Sequence, residues 1–211
     1  ALYDPAFRIQ KKDGKVIKVV DYPLYFRNVA PEKIPEENSE IFTWSANLSQ
    51  SINPGWVIIL TPLVVAFFTF LRSRKKEPST PTKIAFGLLI SALSVLVMVA
   101  AVHIGNNGAE KVSVWWLVAN YGVITIGELF LSPMGLSVVS KLSPKNITAL
   151  MMGGWFLSTS IGNKLSGVLA SLWDTYDDKA NFFWVNFGLL MFATLLMFAL
   201  VKELNKVMKE K

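Results

Sequence analysis

The sequence has 211 residues, of which 52% are hydrophobic and 12% aromatic, and its formal net charge is +6. Its mean hydropathy of +0.42 is well above that of a soluble domain. It contains no cysteine, which excludes disulfides and thiolate metal sites. This composition is typical of a polytopic membrane protein.

The first 50 residues are polar and carry several prolines. Within them, the stretch FRIQKKDGKVIKVV places two β-prone segments around Asp13 and Gly14, a dipeptide that suits a two-residue hairpin turn. We therefore predict an arm over residues 1–50 with a β-hairpin. A flexible arm is the alternative, because a lone hairpin is marginally stable in water. The chain starts at Ala1 and shows no signal-peptide pattern, so we expect it to be a fragment.

The remaining residues, 51–211, alternate long apolar blocks with short polar segments. A helix of about 20 apolar residues crosses the ~30 Å hydrocarbon layer. The blocks lack the in-and-out alternation of membrane β-strands, so helices are the structure that satisfies their backbone in lipid. We predict an all-α polytopic membrane protein with a transmembrane bundle of five spans, over residues 52–71, 84–104, 114–140, 147–173 and 181–201.

The positive charges of the connecting loops and of the C-terminal tail lie mainly on one side of this predicted bundle. Eleven Lys and Arg residues follow spans one, three and five, whereas the opposite loops contain two, Lys111 and Lys179. By the positive-inside rule the first side is cytoplasmic, which places the arm outside and the C-terminus inside. The charge thus indicates topology, and we expect no binding to nucleic acid.

Span three carries polar residues in an otherwise apolar helix. Tyr121, Thr125, Glu128 and Ser132 are spaced by four, three and four residues, which places them within about 60° of one helix face. A charged side chain at this depth costs at least ~2.5 kcal/mol on insertion scales, so Glu128 must face protein or water. We interpret the stripe as the lining of a cavity in which Glu128 binds a ligand. A glutamate that is satisfied by interhelical hydrogen bonds alone is the alternative. Lys164 of span four is a candidate charge partner, but its place toward the outer half of the span favours a side chain that extends to the membrane interface.

Two further residues are candidates for a site. Asn53 precedes a proline in QSINPGWVIILTP at the start of span one, and it suits either a helix N-cap or an amide that reaches a ligand. Trp155 lies about nine residues into span four, too deep for the interfacial belt that tryptophan favours.

The sequence offers no sign of covalent catalysis. His103 is its only histidine, and no acid and hydroxyl lie at the spacing of a triad or a metal site. No phosphate-binding loop or dinucleotide motif is present. We therefore expect a protein that is not an enzyme, with no catalytic residues, no metal and no cofactor.

Four stretches, spread over a region of about 120 residues, resemble in this order and spacing the C-terminal half of the proton-coupled oligopeptide transporter family: SQSINPGWVIILTP, PSTPTKIAFGLLI, VANYGVITIGELFLSPMGLSVVSKLSP and MMGGWFLSTSIGNKLSG. The resemblance implies the twelve-helix major facilitator architecture, in which two bundles rock about a central site. The five predicted spans then correspond to helices eight to twelve, and the missing N-terminal helices of the same protein are implied partners.

The resemblance also implies roles for single residues. Asn53 matches the helix-eight asparagine that contacts the peptide backbone and amino group, and Glu128 matches the helix-ten glutamate that receives the amino terminus. Ser132 is its neighbour one turn on, and Trp155 matches the helix-eleven tryptophan that lines the cytoplasmic side of the pocket.

The implied protein is a symporter that imports di- and tripeptides together with protons, in the lipid bilayer of a bacterial inner membrane. Transport of another small solute, such as nitrate or an amino acid, is one alternative, because a fold does not fix a substrate. A membrane scaffold subunit without transport activity is the other.

Overall fold

The computed structural model describes residues 11–12, 15–16, 46–108, 110 and 112–209. Two short strands, Lys11–Lys12 (β1) and Lys15–Val16 (β2), pair antiparallel with Lys11 opposite Val16. They flank residues 13–14, where the sequence predicts a hairpin turn. Those two residues and the rest of the predicted arm up to residue 45 lie outside the described part, so the extent of the arm and its side of the membrane stay predictions.

Five long helices follow, and they confirm the predicted all-α class. They are α1 (Ala46–Ser73), α2 (Thr80–Ile104), α3 (Trp115–Leu142), α4 (Thr148–Ser171) and α5 (Lys179–Lys209). Short 3-10 turns cover Asn106–Gly108 and Leu172–Thr175. The largest differences from the prediction are at the two ends of the bundle, because α1 begins at Ala46 and α5 continues to Lys209.

Four of these helices are long and apolar enough to cross a membrane, over Leu48–Ser73, Thr80–Ile104, Trp115–Leu142 and Lys179–Met208. Helix α4 has 24 residues and thus a length of about 36 Å. Glycine, serine and threonine interrupt its apolar residues.

Helix α2 lies at the centre of the bundle, where it packs on α3 on one side and on α5 on the other. Helices α1 and α4 each pack on α3. Two glycines allow α2 and α3 to approach closely, since a Cβ atom on Gly127 would lie 2.8 Å from the carbonyl oxygen of Gly87. The α2–α3 pair is therefore the rigid support of the polar stripe on α3.

Loops that the charge pattern assigns to the same side of the membrane lie at the same end of the bundle. Asn107 donates its side-chain amide to the carbonyl oxygen of Asp177 at 2.7 Å and accepts from the Lys179 backbone amide at 2.8 Å. At the opposite end, Lys141 and the loop between α1 and α2 line a common cavity.

Candidate functional site

The polar residues of α1 and α3 meet at the interface between these helices. Asn53 Nδ2 donates a hydrogen bond to Glu128 Oε2 at 3.1 Å. Because α1 begins at Ala46 and Pro54 lies inside it, Asn53 is in the helix interior and the N-cap interpretation is wrong. The amide of Asn53 instead crosses to the neighbouring helix.

Thr125 is the third residue of this group, and it contacts Asn53. Its hydroxyl donates to Asn53 Oδ1 at 2.9 Å and lies 2.6 Å from the carbonyl oxygen of Tyr121, one turn back on α3. Thr125 is fully buried, whereas Asn53 and Glu128 are half-buried. The three side chains form one hydrogen-bonded network that is closed to solvent at Thr125 and partly open at Glu128.

The partner of Glu128 in this network is a neutral amide. Within the part of the chain that the structure describes, the ion pairs join Glu77 to Arg72 and to Lys83, and Glu128 is in neither of them. The suggested partner Lys164 is exposed on α4 and forms no ion pair with Glu128 in these described helices. A carboxylate has about four acceptor positions, so Glu128 keeps the capacity to bind a cation.

Trp56 fixes the register of α1 against α3, a role that sequence reasoning missed. Its Nε1 donates to the carbonyl oxygen of Val118 at 3.0 Å, and its ring lies against Gly122, where an added Cβ would meet it at 3.2 Å. Predicted span one begins at residue 52, and a tryptophan near a helix end is typical of the membrane interface, so no sequence signal indicated a contact of Trp56 between helices. Trp56 lies one turn beyond Asn53 and thereby holds that residue opposite Glu128.

The other two predicted residues extend the site along α3. Ser132 is exposed one turn beyond Glu128. The half-buried Trp155 places its ring on Gly135, where any Cβ atom would overlap it. Glu128, Ser132 and Gly135 are separated by four and three residues and share one face of the helix. Asn53 is thus in contact with Glu128, and Trp155 meets the same face about 10 Å further along α3.

A second polar cluster lies at the end of the bundle where α1 stops and α2 begins. Glu77 accepts from Arg72 Nε at 2.7 Å and pairs with Lys83, whose ammonium group lies 4.3 Å from the centre of the Phe68 ring. The Arg72 guanidinium and the Lys83 ammonium hold the pKa of Glu77 down to about 2. Lys83 is 5% exposed, so one of the charges that indicated topology is buried.

This cluster borders a cavity of about 500 Å³ whose lining also includes Ser79, Met134, Ser137 and Lys141. Hydrogen bonds and an ion pair tie the end of α1 to the start of α2 here, while Ser79 caps α2 by accepting from the backbone amide of Thr82. The cluster therefore fixes the α1–α2 connection, and it is separate from the network around Glu128.

The sequence matches that of known transporters. The sequence model of the POT family matches residues 33–185 of this chain. Over 132 residues the chain is 36% identical to dipeptide and tripeptide permease A of Proteus mirabilis, a match that covers 63% of this chain and 26% of that protein.

Two solved structures are also similar. One is peptide transporter POT in complex with sulfate, with 33% identity and a TM-score of 0.67 over 76% of this chain and 32% of that one. The other is a POT family transporter in complex with a thioalcohol-conjugated peptide, with 29% identity and a TM-score of 0.66 over 79% of this chain and 34% of that one. The chain thus spans about a quarter of the length of the curated relatives it matches. The family predicted from the sequence is confirmed, and the chain belongs to the POT family of transporters.

Proposed function

We propose that the chain is the C-terminal part of a proton-coupled symporter that imports di- and tripeptides by alternating access, and that Asn53, Glu128, Ser132 and Trp155 contact the peptide. Membership in the POT family supports transport, and the name of the Proteus relative supports this class of substrate. The observation that carries the assignment of the site is the contact between Asn53 and Glu128.

This contact suits the amino terminus of a peptide. Glu128 provides a negative charge that is offset in the described structure by one neutral donor, and a hydrogen bond from an ammonium group to a carboxylate is about twice as strong as a neutral one. Asn53 uses one of its two amide hydrogens on Glu128 and one of its two acceptor positions on Thr125. An ammonium group can therefore bind the Glu128 carboxylate and the Asn53 oxygen together.

Ser132 and Trp155 extend this site in the direction of the peptide chain. The exposed hydroxyl of Ser132 lies one turn from Glu128, where it can donate to or accept from a peptide backbone. The indole of Trp155, supported by Gly135, provides an apolar wall on the same face of α3. A wall without charge suits a transporter that accepts varied side chains.

The proposed protein lies in the inner membrane of a bacterium, with the C-terminus in the cytoplasm and further N-terminal helices completing the cavity. Protons are the coupling ion, and neither a metal nor another cofactor takes part. The proposed activity is transport and involves no covalent chemistry.

One observation favours the scaffold alternative. The hydrogen bond from Asn53 satisfies part of the Glu128 carboxylate and links two helices, as a purely structural glutamate would do. The two functions differ in their dependence on charge, because a structural link needs an acceptor whereas an ammonium site needs an anion.

The test is uptake by the full-length protein in proteoliposomes, with and without an inward proton gradient. We expect a labelled dipeptide to accumulate only with the gradient. An unlabelled tripeptide should compete, whereas the N-acetylated dipeptide should compete at least about tenfold less well, since it lacks the ammonium group. Accumulation of nitrate or of an amino acid in place of peptide would establish the other-solute alternative. Absence of uptake of all of these by a well-folded protein would favour the scaffold.

A further inference from the structure

The hydroxyl of Thr125 lies at the closed end of the network that contains Glu128. The side chain is fully buried, so no solvent competes for its hydrogen bonds. Its oxygen is 2.9 Å from Asn53 Oδ1 on the neighbouring helix and 2.6 Å from the carbonyl oxygen of Tyr121 on its own helix. One hydroxyl hydrogen thus faces two acceptors, as in a three-centre hydrogen bond.

An asparagine amide can point in two directions, and the surroundings of Asn53 select one of them. The Glu128 oxygen Oε2 accepts a hydrogen bond from Nδ2, so the NH₂ group of Asn53 lies on the carboxyl side. The Thr125 hydroxyl donates to the oxygen on the other side of the same amide. Rotation by 180° would turn the amide oxygen toward the carboxylate, which is unfavourable.

A hydrogen bond from a helical threonine to the carbonyl one turn back is common, and by itself it indicates no function. Thr194 on α5 provides an example, since it is 1% exposed and donates to the Leu190 carbonyl oxygen at 2.7 Å. Thr125 differs because its hydroxyl also reaches a polar side chain of another helix. The contact of the same hydroxyl with the Tyr121 carbonyl oxygen selects a χ1 rotamer in which the hydroxyl also lies beside the Asn53 amide.

We infer that Thr125 is a positioning residue for substrate recognition: its hydroxyl holds the Asn53 amide with Nδ2 toward Glu128 and with a free acceptor position on Oδ1 for the substrate. The inference rests on the proposed function in one respect, namely that the substrate carries an ammonium group. Thr125 touches no substrate itself, and it acts through Asn53.

Three variants of the full-length protein test this role. Thr125→Val keeps the shape of the side chain and removes the hydroxyl, Thr125→Ser keeps the hydroxyl, and Thr194→Val removes a buried hydroxyl that bonds only to its own helix among the described residues. We expect Thr125→Val to weaken dipeptide affinity roughly 3- to 10-fold, the effect of one neutral hydrogen bond. Thr125→Ser should retain most of the wild-type affinity. Thr194→Val should change the affinity less than about twofold.

A double-mutant cycle shows whether Thr125 acts through Asn53. In an Asn53→Ala background there is no amide to orient, so Thr125→Val should change dipeptide affinity less than about twofold. An equal loss in the wild-type and Asn53→Ala backgrounds would overturn the inference, as would an equal loss in Thr125→Val and Thr194→Val.

The same cycle on the melting temperature, measured in detergent without substrate, tests the hydrogen bond independently of the ligand. The two substitutions should be non-additive, with a smaller effect of Thr125→Val when Asn53 is absent. Non-additive melting temperatures without dipeptide binding would reject the proposed function and leave the positioning of Asn53 by Thr125 in place. Additive melting temperatures would reject the positioning role even if the protein binds dipeptides.

Discussion

Asn53 and Glu128 are 75 residues apart in the sequence, yet the amide of the first donates to the carboxylate of the second at 3.1 Å across the α1–α3 interface. The contact joins α1, which packs on α3, to a helix that also packs on α2 and α4. Any cation that binds Glu128 therefore also affects how α1 is held against α3. Under the proposed function, this contact would couple substrate binding to helix packing, as a change of conformation during transport requires.

The first prediction concerns the charge of Glu128. Glu128→Gln keeps the shape of the side chain and an oxygen that can accept from Asn53, so the fold should be retained. We expect dipeptide affinity to fall at least about tenfold, because a hydrogen bond to a charged group contributes about 1.5–3 kcal/mol. Titration calorimetry on the full-length protein measures this loss.

Asn53→Ala serves as a comparison for Glu128→Gln. It should weaken dipeptide binding less, because only neutral hydrogen bonds are lost. Unchanged dipeptide affinity of a normally expressed Glu128→Gln protein would mean that the carboxylate is structural, and the scaffold alternative would gain.

The second prediction concerns the close approach of α2 and α3. A Cβ atom on Gly127 would lie 2.8 Å from the backbone oxygen of Gly87 and would also overlap Ser91, so the helices must separate to admit it. Overpacking of this kind costs about 1–3 kcal/mol or more. We expect Gly127→Ala to lower the melting temperature of the purified protein.

The matched control is Gly188→Ala on α5, where no heavy atom lies within 4 Å of the added Cβ. Alanine is favoured over glycine inside a helix by up to about 1 kcal/mol, so this variant should melt at the same temperature or higher. Equal melting temperatures of the two variants would contradict the packing that we describe for α2 and α3.

The third prediction is a pH dependence that originates at Glu77. Hydrogen bonds from Arg72 and Lys83 lower the pKa of Glu77 from its ordinary 4.5 to about 2 in the folded protein. A lowered pKa means that the ionised carboxylate stabilises the fold, fully above pH 4.5 and progressively less as the pH falls toward 2. Glu77→Gln should therefore lower the melting temperature at pH 7, where it leaves the buried Lys83 without its partner.

The difference in melting temperature between wild type and Glu77→Gln, roughly 2–4 °C or more at pH 7, should shrink as the pH is lowered from 5 to 3. Glu203→Gln is the control, since Glu203 is exposed on α5 and should give no such pH-dependent difference. A difference for Glu77→Gln that stays constant over this range would show that its charge does not contribute.

The fourth prediction is the topology. Single cysteines at Ser73 and Val112, in a cysteine-free background, lie in exposed positions beyond opposite ends of α2. We expect a membrane-impermeant maleimide to label Val112→Cys on intact cells and Ser73→Cys only after the membrane is opened. Asn107 lies in the same loop as Val112, but its side chain binds the loop between α4 and α5, so Val112 is the better labelling position. Labelling of both cysteines from one side would reject the assignment.

The sequence by itself determined the membrane class, the five helices, the family and the polar stripe on α3. These features depend on hydropathy, helical period and local motifs, which are properties of short segments. Asn53 and Glu128 were both candidates for the same reason, since each is a polar residue in an apolar helix.

Only the tertiary structure decided which of these residues touch. The sequence left Asn53 open as an N-cap, and the early start of α1 at Ala46 excluded that role. The charge pattern used Lys83 only as an indicator of topology, whereas the structure buries it beside Glu77. The distance between two side chains on different helices depends on how closely the helices pack. On α3, glycines provide the room for close contact with Trp56 of α1, Trp155 of α4 and the backbone of α2. A helical period specifies the face on which Glu128 lies, but the packing of α1 on that face is what places the Asn53 amide beside its carboxylate.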